Sequence, residues 1–359
     1  MINENSKIVK KICIIGAGLF GTTLALVLAK NKNIKIDLYD KKSDILSDTS
    51  LKNQQRFHLG YHYPRSKKTV SEIKQSSVDF IRFYGNNIFG STQNIYAISN
   101  KSSKLNFSQY CKKLNYLGLK VVKKNYTFFS NLIENSIITN EKNLDYFKIK
   151  DIIKKKIKES SKINLKLKNT VTKKDIVNYD KVIICTYSNN NYLLKKLGVN
   201  QNILMKKRYE LVEKIVVKMP KELKTKSVVI LDGNFLNFDP FIGTNYHLLS
   251  SVKESKVEII KSIFPSFKNI KKKYLKNNFI KDIKNSNFKN FIKFGKEFVP
   301  LIAKARYIKS TYVTRCVDIS KNSQNRKTTL KFYGDKIITV FSGKWNNCVS
   351  VSERINKLI

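Results

Sequence analysis

Three of the chain's thirteen glycines, Gly16, Gly18 and Gly21, lie within six residues. The apolar strand-like run Lys11–Ile15 precedes them, and a helical pattern over Thr22–Lys30 follows. Gly16 permits a tight turn, Gly18 lets a pyrophosphate approach the backbone, and Gly21 lets the helix pack closely on the strand. The free N–H groups at the start of that helix would face the phosphates. This arrangement predicts a dinucleotide-binding turn.

An acidic residue at the end of the next strand extends this pattern. The strand Lys35–Tyr39 is followed by Asp40, nineteen residues after Gly21. A carboxylate at this position accepts hydrogen bonds from a ribose hydroxyl and disfavours a 2′-phosphate, which argues against NADP. The pattern by itself leaves NAD and FAD open.

The apolar run Ile12–Ala29 also has about the length of a signal peptide or a membrane anchor. It contains the three spaced glycines, however, and Lys30, Asn31 and Lys32 follow it where a small-residue cleavage site would be needed. The dinucleotide interpretation explains more of the run. We therefore expect no stable membrane insertion.

The five cysteines are scattered, without a CxxC pair or a cluster of Cys and His. This spacing predicts neither a disulfide framework nor a metal site. It is typical of a reducing compartment, so we expect a cytoplasmic protein.

The charge of the chain is strongly positive, with 70 Lys and Arg against 26 Asp and Glu and a formal net charge of +44 in 359 residues. Only eight of the basic residues are Arg, and the lysines are spread along the whole chain. A nucleic-acid-binding protein more often concentrates its basic residues in one patch with exposed aromatics. We therefore expect no nucleic-acid partner, but a positive field that favours anionic small-molecule substrates and cofactors.

A long polar loop follows over residues 47–66, where an NAD-binding domain usually continues into further strand and helix units. The loop contains His58 and His62, two of the chain's three histidines, and the scarce arginine Arg65. His62 is a candidate general base, and Arg65 is a candidate clamp for a phosphate or carboxylate. Backbone hydrogen bonding is the alternative role for both histidines.

Four blocks of the sequence resemble the FAD-dependent oxidoreductases of the D-amino-acid-oxidase and glycine-oxidase superfamily. They are the glycine pattern with Asp40, the loop Asn53–Ser66, the stretch Asn164–Tyr187 and the segment Gly334–Trp345. They span the chain in the order found in that family. The resemblance implies FAD as the cofactor, with the loop running along it towards the flavin ring and the C-terminal helix beginning near that ring.

The cofactor contacts predicted by the glycine pattern and by the resemblance lie in all four blocks. The sequence departs from the family at Cys185-Thr186-Tyr187, where many relatives have small residues and a glycine, and at Lys344-Trp345-Asn346. The predicted contacts are Gly16, Gly18, Leu19, Phe20, Gly21, Asp40, Lys41, Asn53, Arg56, His58, Leu59, Gly60, Val171, Thr186, Gly343, Lys344 and Trp345.

The region between the FAD blocks has a different pattern. Alternating apolar segments predict antiparallel strands, and two further segments have a helical pattern. The predicted strands are Arg208–Met219, Ser227–Asp232, Tyr246–Val252 and Tyr307–Asp318, and the predicted helices are Glu254–Phe264 and Asn285–Phe294. In the resembled family such a sheet covers the flavin and forms the substrate pocket.

We therefore predict an α/β fold in which a Rossmann-like FAD-binding domain, a parallel sheet with helices, is interleaved with a second α+β domain built on a mostly antiparallel sheet. The predicted FAD-binding domain comprises residues 1–87, 141–187 and 326–359. The predicted substrate domain comprises residues 88–140 and 188–325.

Four residues are candidates for the chemistry. His62 and Arg65 come from the polar loop. Arg315 resembles in position the family arginine that pairs with a substrate carboxylate, with a salt bridge inside the sheet as the alternative. Glu210 alternates with Tyr209 along a predicted strand, so it faces either the pocket or solvent.

The function that these patterns favour is FAD-dependent oxidation of an amine, an amino acid or a hydroxylated carbon, by hydride transfer from a small anionic substrate to the flavin. The electron acceptor is left open among oxygen, a quinone and another protein. An FAD-dependent sugar mutase is an alternative, although its double-glycine segment is absent from the sequence. An NAD-dependent dehydrogenase does not explain the C-terminal block, and a non-catalytic nucleotide-binding module remains a further alternative.

Overall fold

Two large sheets, one mainly parallel and one mainly antiparallel, organise the chain in the computed structural model, which describes residues 9–101, 103–231, 233, 235–276, 279–319 and 328–359. The strands are β1 (Lys10–Ile15), β2 (Ile34–Asp40), β3 (Arg56–Phe57), β4 (Gln93–Ser99), β5 (Val122–Lys123), β6 (Ile133–Thr139), β7 (Lys142–Asn143), β8 (Ile163–Leu167), β9 (Lys181–Ile184), β10 (Lys207–Lys218), β11 (Lys226–Leu231), β12 (Leu236–Phe241), β13 (Tyr246–Ser251), β14 (Lys256–Ser262), β15 (Arg306–Asp318), β16 (Thr329–Tyr333) and β17 (Ile337–Phe341). The α-helices are α1 (Leu19–Leu28), α2 (Lys67–Tyr84), α3 (Phe107–Tyr116), α4 (Tyr146–Glu159), α5 (Asn190–Lys196), α6 (Phe288–Gly295) and α7 (Cys348–Asn356).

The first sheet has six strands in the order β16-β17-β9-β1-β2-β8. All neighbouring pairs are parallel except β16 and β17. Along β1, Ile12 and Ile14 pack against α1, α4 and α7 on one face, while Cys13 and Ile15 pack on the opposite face with residues that include Leu194 of α5. Burial on both faces explains why residues 12–15 of the strand are an unbroken apolar run.

The turn after β1 is shorter than the glycine pattern predicts. Helix α1 begins at Leu19 rather than at Thr22, with Gly18 as its N-cap residue. Gly21 therefore lies in the first turns of the helix, where a Cβ would stand only 1.9 Å from the carbonyl oxygen of Gly16. This close approach of helix and turn is the contact that requires a glycine.

The second sheet follows the path β14-β10-β13-β12-β11-β4-β6-β5, and β15 pairs with the other edge of β10. Its pairs are antiparallel except for β4 and β11. The four strands predicted for this region are confirmed as β10, β11, β13 and β15, although Asp232 lies outside the described residues. The helix predicted at Asn285–Phe294 is confirmed as α6, which begins three residues later.

The helix predicted over Glu254–Phe264 is wrong, because this segment forms strand β14. The strand pairs antiparallel with the first half of β10. Val257, Ile259 and Ile260 are β-branched, which favours a strand over a helix once a partner edge is available. That edge belongs to a strand more than forty residues earlier, beyond the range of local periodicity.

The two sheets alternate along the sequence. The first takes strands from residues 10–40, 163–184 and 329–341, and the second takes strands from 93–139 and 207–318. The α/β fold class with a parallel and a mostly antiparallel sheet is therefore confirmed. The exact domain boundaries stay a prediction, and the boundary at 325/326 lies outside the described residues.

Three further properties concern the part of the chain that the structure describes. In it, no helix combines the length and the apolar character needed to cross a bilayer. The same ranges contain no group of three or more His, Cys, Asp or Glu side chains arranged for a metal ion. The five cysteines are all free thiols.

Candidate functional site

A cleft of about 500 Å³ lies at the carboxyl ends of the parallel strands β1, β2, β9 and β17. Open α/β sheets bind their ligands at this edge, at the point where the strand order reverses. Here that point lies beside β1, which has β2 on one side and β9 on the other. Twelve of the seventeen predicted cofactor residues line it: Gly16, Gly18, Leu19, Phe20, Asp40, Lys41, Asn53, Val171, Thr186, Gly343, Lys344 and Trp345.

The glycines leave the backbone bare along the cleft. Gly16 has a φ of +106°, and a Cβ there would stand 2.9 Å from the carbonyl oxygen of Cys185. At Gly18 the nearest atom to such a Cβ is Ser50 Oγ at 3.5 Å, and at Gly343 no described atom lies within 4 Å. The cleft thus has a backbone cradle at the N-terminus of α1, the arrangement that holds a pyrophosphate.

Asp40 is held in place by the turn that it faces. Its Oδ2 accepts from the Ala17 N–H at 2.8 Å, and its Oδ1 accepts from the Lys42 N–H at 2.8 Å. Burial raises the pKa of Asp40, and the two backbone donors oppose this shift. Each carboxylate oxygen accepts more than one hydrogen bond, so acceptor capacity remains for a ribose hydroxyl in the cleft.

The departure at Cys185-Thr186-Tyr187 has a clear structural form. Tyr187 has a φ of +53°, in the left-handed region that favours glycine. Its ring stacks on Phe341 with centroids 5.5 Å apart, and its hydroxyl donates to Cys316 O at 2.8 Å and accepts from Cys316 N–H at 3.0 Å. Tyr187 therefore joins the cleft to strand β15 of the second sheet, and these contacts compensate for the backbone conformation.

A second cavity of about 900 Å³ adjoins the cleft. The two share Thr49, Asn53, Tyr187 and Gly343 in their walls. The second cavity is lined by His58, His62, Arg65 and Arg315, among other residues. Three of the four candidate catalytic residues, His62, Arg65 and Arg315, thus line the second cavity, next to the dinucleotide cleft.

The two histidines of the loop lie close to each other, with ring centroids 5.7 Å apart. The backbone oxygen of His58 accepts from Asn346 Nδ2 at 2.9 Å, which ties the loop to the C-terminal block. Glu141 stands behind His58, with its Oε2 3.7 Å from His58 Nδ1. Although burial alone would raise the pKa of Glu141, His58, Arg56 and Tyr96 hold it at about 2.

Glu210 lies behind the cavity wall rather than on it. Its side chain is fully buried, and its Oε2 accepts from Arg315 Nη1 at 2.6 Å. Its Oε1 lies 3.0 Å from Arg208 Nη2. Glu210 and Arg315 are directly opposite each other on β10 and β15. One carboxylate therefore orients two guanidinium groups, so Glu210 is an anchor for these arginines in this geometry.

Five predicted cofactor residues do not line the cleft. His58 lines the second cavity instead, and Gly21 packs against Gly16. Leu59 donates its N–H to Glu141 Oε1 at 2.7 Å, and Gly60, with a φ of +122°, packs on Val70. The guanidinium of Arg56 is buried against Asp239, with Nη2 2.6 Å from Oδ1, and donates to Asn94 at 3.0 Å.

Sequence reasoning missed several residues that line the dinucleotide cleft and the second cavity. In the cleft these are Ser47 to Ser50, of which Ser50 Oγ accepts from the Leu19 N–H at 3.1 Å. In the second cavity they include Lys52, Lys214 and Lys256. A signal for Lys214 was present, because residues 208, 210, 212 and 214 alternate on one face of a strand. Lys214 donates to Gln54 Oε1 at 3.3 Å, and burial lowers its pKa to about 8.

Comparisons with known proteins agree with this geometry. Residues 11–115 match the family described as FAD dependent oxidoreductase, DAO. An FAD-dependent monooxygenase of Fusarium mangiferae is 28% identical over 116 residues, which are 30% of this chain and 31% of that protein. The chain spans less than a third of the length of the curated relatives that it matches.

Solved structures are similar over nearly the whole chain. Glycine oxidase from Geobacillus kaustophilus has a TM-score of 0.70 at 13% identity, covering 97% of this chain and 93% of that one. FAD-bound L-α-glycerophosphate oxidase from Mycoplasma pneumoniae has a TM-score of 0.73 at 14% identity, covering 97% and 94%. The family match thus covers residues 11–115, and over nearly its whole length the chain shares the fold of these FAD-dependent oxidoreductase structures.

Proposed function

We propose that this protein is an FAD-dependent oxidoreductase that oxidises a carbon bearing an amine or a hydroxyl group in an anionic small molecule. One observation carries the proposal. The dinucleotide cleft opens, through shared wall residues such as Asn53 and Gly343, into a second cavity with histidine and arginine side chains on its wall. A purely structural nucleotide site has no need of such a cavity, which counts against the non-catalytic module.

The residues of the cleft fit FAD. The bare backbone at Gly16 and Gly18, with the start of α1, suits the pyrophosphate, and Asp40 suits a ribose hydroxyl. Gly343, beside the junction of the cavities, leaves room for the flavin end. When bound, FAD supplies an acceptor for the hydride of a substrate C–H bond, which is chemistry that side chains do not provide.

The chain's own residues have the remaining tasks. Arg315, oriented by Glu210, is placed to bind an anionic group of the substrate and so to fix the position of its reacting carbon. His62 lies on the same cavity wall, where it is proposed to take the proton of the substrate's amine or hydroxyl group. Arg65 stands exposed at the cavity and is a second candidate for anion binding.

Names of similar proteins support this reaction class. The structural neighbours include proteins named glycine oxidase, L-proline dehydrogenase and L-α-glycerophosphate oxidase, which together cover amines and a hydroxylated carbon. We keep the electron acceptor open among oxygen, a quinone and a protein. A cytoplasmic location without a nucleic-acid partner is part of the proposal, supported by the free thiols and the dispersed lysines.

The test is the visible absorption spectrum of the purified protein before and after denaturation. We expect a two-banded flavin spectrum, with FAD released by denaturation. Anaerobic addition of amino acids, hydroxy acids and phosphorylated alcohols should then bleach the flavin bands for the substrate class alone. A colourless protein that also fails to take up added FAD would refute the proposal. Bound FAD that no member of the panel reduces would favour the non-catalytic module.

A further inference from the structure

The wall of the second cavity carries far more positive than negative charge. Its basic members outnumber its acidic members eight to two within the described residues. They are Lys52, Arg65, Lys101, Lys104, Arg208, Lys214, Lys256 and Arg315, against Glu297 and Asp318. Asp318 already pairs with Lys207, so it does not neutralise this group.

Four of these cations form one electrostatically connected group on the second sheet. Arg208 and Lys214 share the face of β10 on which Glu210 lies, and Arg315 lies opposite Glu210 on β15. Lys256 begins β14, which pairs with β10 on its other side. Burial lowers the pKa of both lysines. Asp239 opposes this shift at Lys214 and Glu210 opposes it at Lys256, while the positive charge of Arg315 lowers the pKa of each lysine further.

The counter-charge built into the protein is too small for this group. Glu210 is its fully buried carboxylate and is already bonded to Arg315 and paired with Arg208. Four cations and one carboxylate leave a charge of +3. Lys214 contacts a neutral amide, and Asp239, whose charge also acts on it, is already paired with Arg56. Lys256 is attracted by Glu210 but forms no ion pair among the described residues, and Arg208 Nε is buried without a hydrogen-bond acceptor in the same ranges. Partly buried, uncompensated cations are costly unless an anion joins them.

The number and geometry of the donors favour a dianion over a carboxylate. A single carboxylate is satisfied by one bidentate guanidinium and would leave a charge of +2 in the group. A phosphoryl group has three acceptor oxygens and close to two negative charges, which suit two guanidiniums with the ammonium group of Lys256 beside them and that of Lys214 further along the strand. The cavity of about 900 Å³ is at the large end of the range for ligand pockets, roughly 300–1,000 Å³, so a phosphate extension fits.

We infer that Arg208, Arg315 and Lys256 bind a phosphoryl group of the substrate, with Lys214 adding positive charge further along β10, so that the enzyme oxidises a phosphorylated alcohol or amine. This inference rests on the proposed function and narrows its substrate class. The phosphoryl group is the handle, and the carbon to be oxidised lies towards the junction with the cleft, at Asn53 and Gly343.

The experiment uses the FAD-loaded protein, with loading established first from its visible spectrum. Inorganic phosphate and acetate are titrated separately at constant ionic strength, and the perturbation of the flavin absorption bands gives a Kd for each. We expect saturable binding of phosphate, with a Kd at least about tenfold below that of acetate. Each of Arg208→Met and Arg315→Met should raise the phosphate Kd by about tenfold or more, the loss of one charge-assisted contact. Lys253→Met, at an exposed lysine near β14, is the matched control and should leave the Kd unchanged.

The outcomes separate the two proposals. Protein that never binds FAD refutes the proposed function before any anion is added. FAD-loaded protein that responds equally to phosphate and acetate, or whose phosphate Kd is unchanged in both arginine variants, refutes the phosphoryl site alone. If the arginine variants fail to fold because Glu210 loses its partner, the phosphate Kd of Lys256→Met decides between the outcomes. Lys256 has no ion pair to break within the described residues, so an unchanged Kd in that variant also refutes the site.

Discussion

Replacing Asp239 by Asn or Arg56 by Met is expected to destabilise the fold while leaving FAD bound. Arg56 Nη2 lies 2.6 Å from Asp239 Oδ1, and the two side chains are 2% and 0% exposed. The same Oδ1 accepts from Ser227 Oγ at 2.6 Å and from Asn143 Nδ2 at 3.0 Å. These bonds join the paired short strands β3 and β7 to strands β11 and β12 of the second sheet, so the network fixes this part of the chain on that sheet.

The size of the expected loss in the free energy of unfolding follows from the burial of both charges. Removing one partner of a buried ion pair costs about 3–5 kcal/mol, because the other charge is left without compensation. Glu141 Oε2, 3.7 Å from Arg56 Nη1, offers part of that compensation in the Asp239→Asn variant. We therefore expect a loss near 3 kcal/mol, the lower end of the range of about 3–5 kcal/mol, for Asp239→Asn. For the matched control Arg82→Met, whose side chain is 78% exposed and 4.0 Å from Asp79, we expect about 0–1 kcal/mol.

Denaturant unfolding of the FAD-loaded variants measures the free energy, and visible absorption per mole of protein measures FAD content. A double variant combining Arg56→Met with Asp239→Asn should cost less than the sum of the two single changes, because they remove one shared interaction. The sequence alone predicts a cofactor contact for Arg56. If Arg56→Met lost FAD while its free energy of unfolding stayed close to that of Arg82→Met, the structural reasoning would be wrong and the cofactor role would stand.

Gly21→Ala is expected to abolish tight FAD binding, since its Cβ would stand 1.9 Å from Gly16 O. Quenching of Trp345, the chain's only tryptophan and part of the cleft wall, measures the affinity. Gly334→Ala has open space around its Cβ, so it should cost some stability because of the φ of +58° but retain FAD binding. Arg315→Met should raise KM for the substrate about tenfold or more with FAD retained, and unchanged kinetics would contradict the anion-binding role. Because Lys214 loses its charge as pH rises through a pKa of about 8, the affinity for sulfate should fall above that pH. A sulfate profile that Lys214→Met leaves unaltered would count against this role.

The dinucleotide turn was predictable because its determinants are local. Gly16, Gly18, Gly21 and Asp40 follow one another through a strand, a turn, a helix and a strand, so their spacing along the sequence sets their spacing in the fold. The start of α1 was misplaced by three residues, since Gly18 itself serves as the N-cap and nothing in the sequence marks Leu19 as the first helical residue.

The wall of the second cavity was only partly predictable, because its residues come together through the pairing of strands that are distant in the sequence. Lys214 and Lys256 are two among 62 lysines, and nothing in residue type separates them from the solvated ones. Their positions follow from the pairing of β10 with β14 and β15. The scarce arginines did mark sites of anion recognition, but the anion differs between them. Arg315 reaches the cavity, whereas Arg56 recognises a carboxylate of the protein itself, Asp239.

The way in which the first sheet is assembled has a consequence for the synthesis of the protein. Ile12 of β1 pairs with Lys181 of β9, and Val182 of β9 pairs with Ile337 of β17. The central strand β1 is therefore synthesised long before the other strands on that side of the sheet. At about 5–20 residues per second, roughly 20–60 s separate the emergence of β1 from that of Gly343 and Trp345 on the ribosome. The nascent chain has no complete nucleotide cleft during that interval, and its apolar helix α1 lacks α7, whose residues belong to the same core. Flavin loading is therefore a late event in the life of each molecule, and FAD supply acts on the finished chain rather than guiding its early folding.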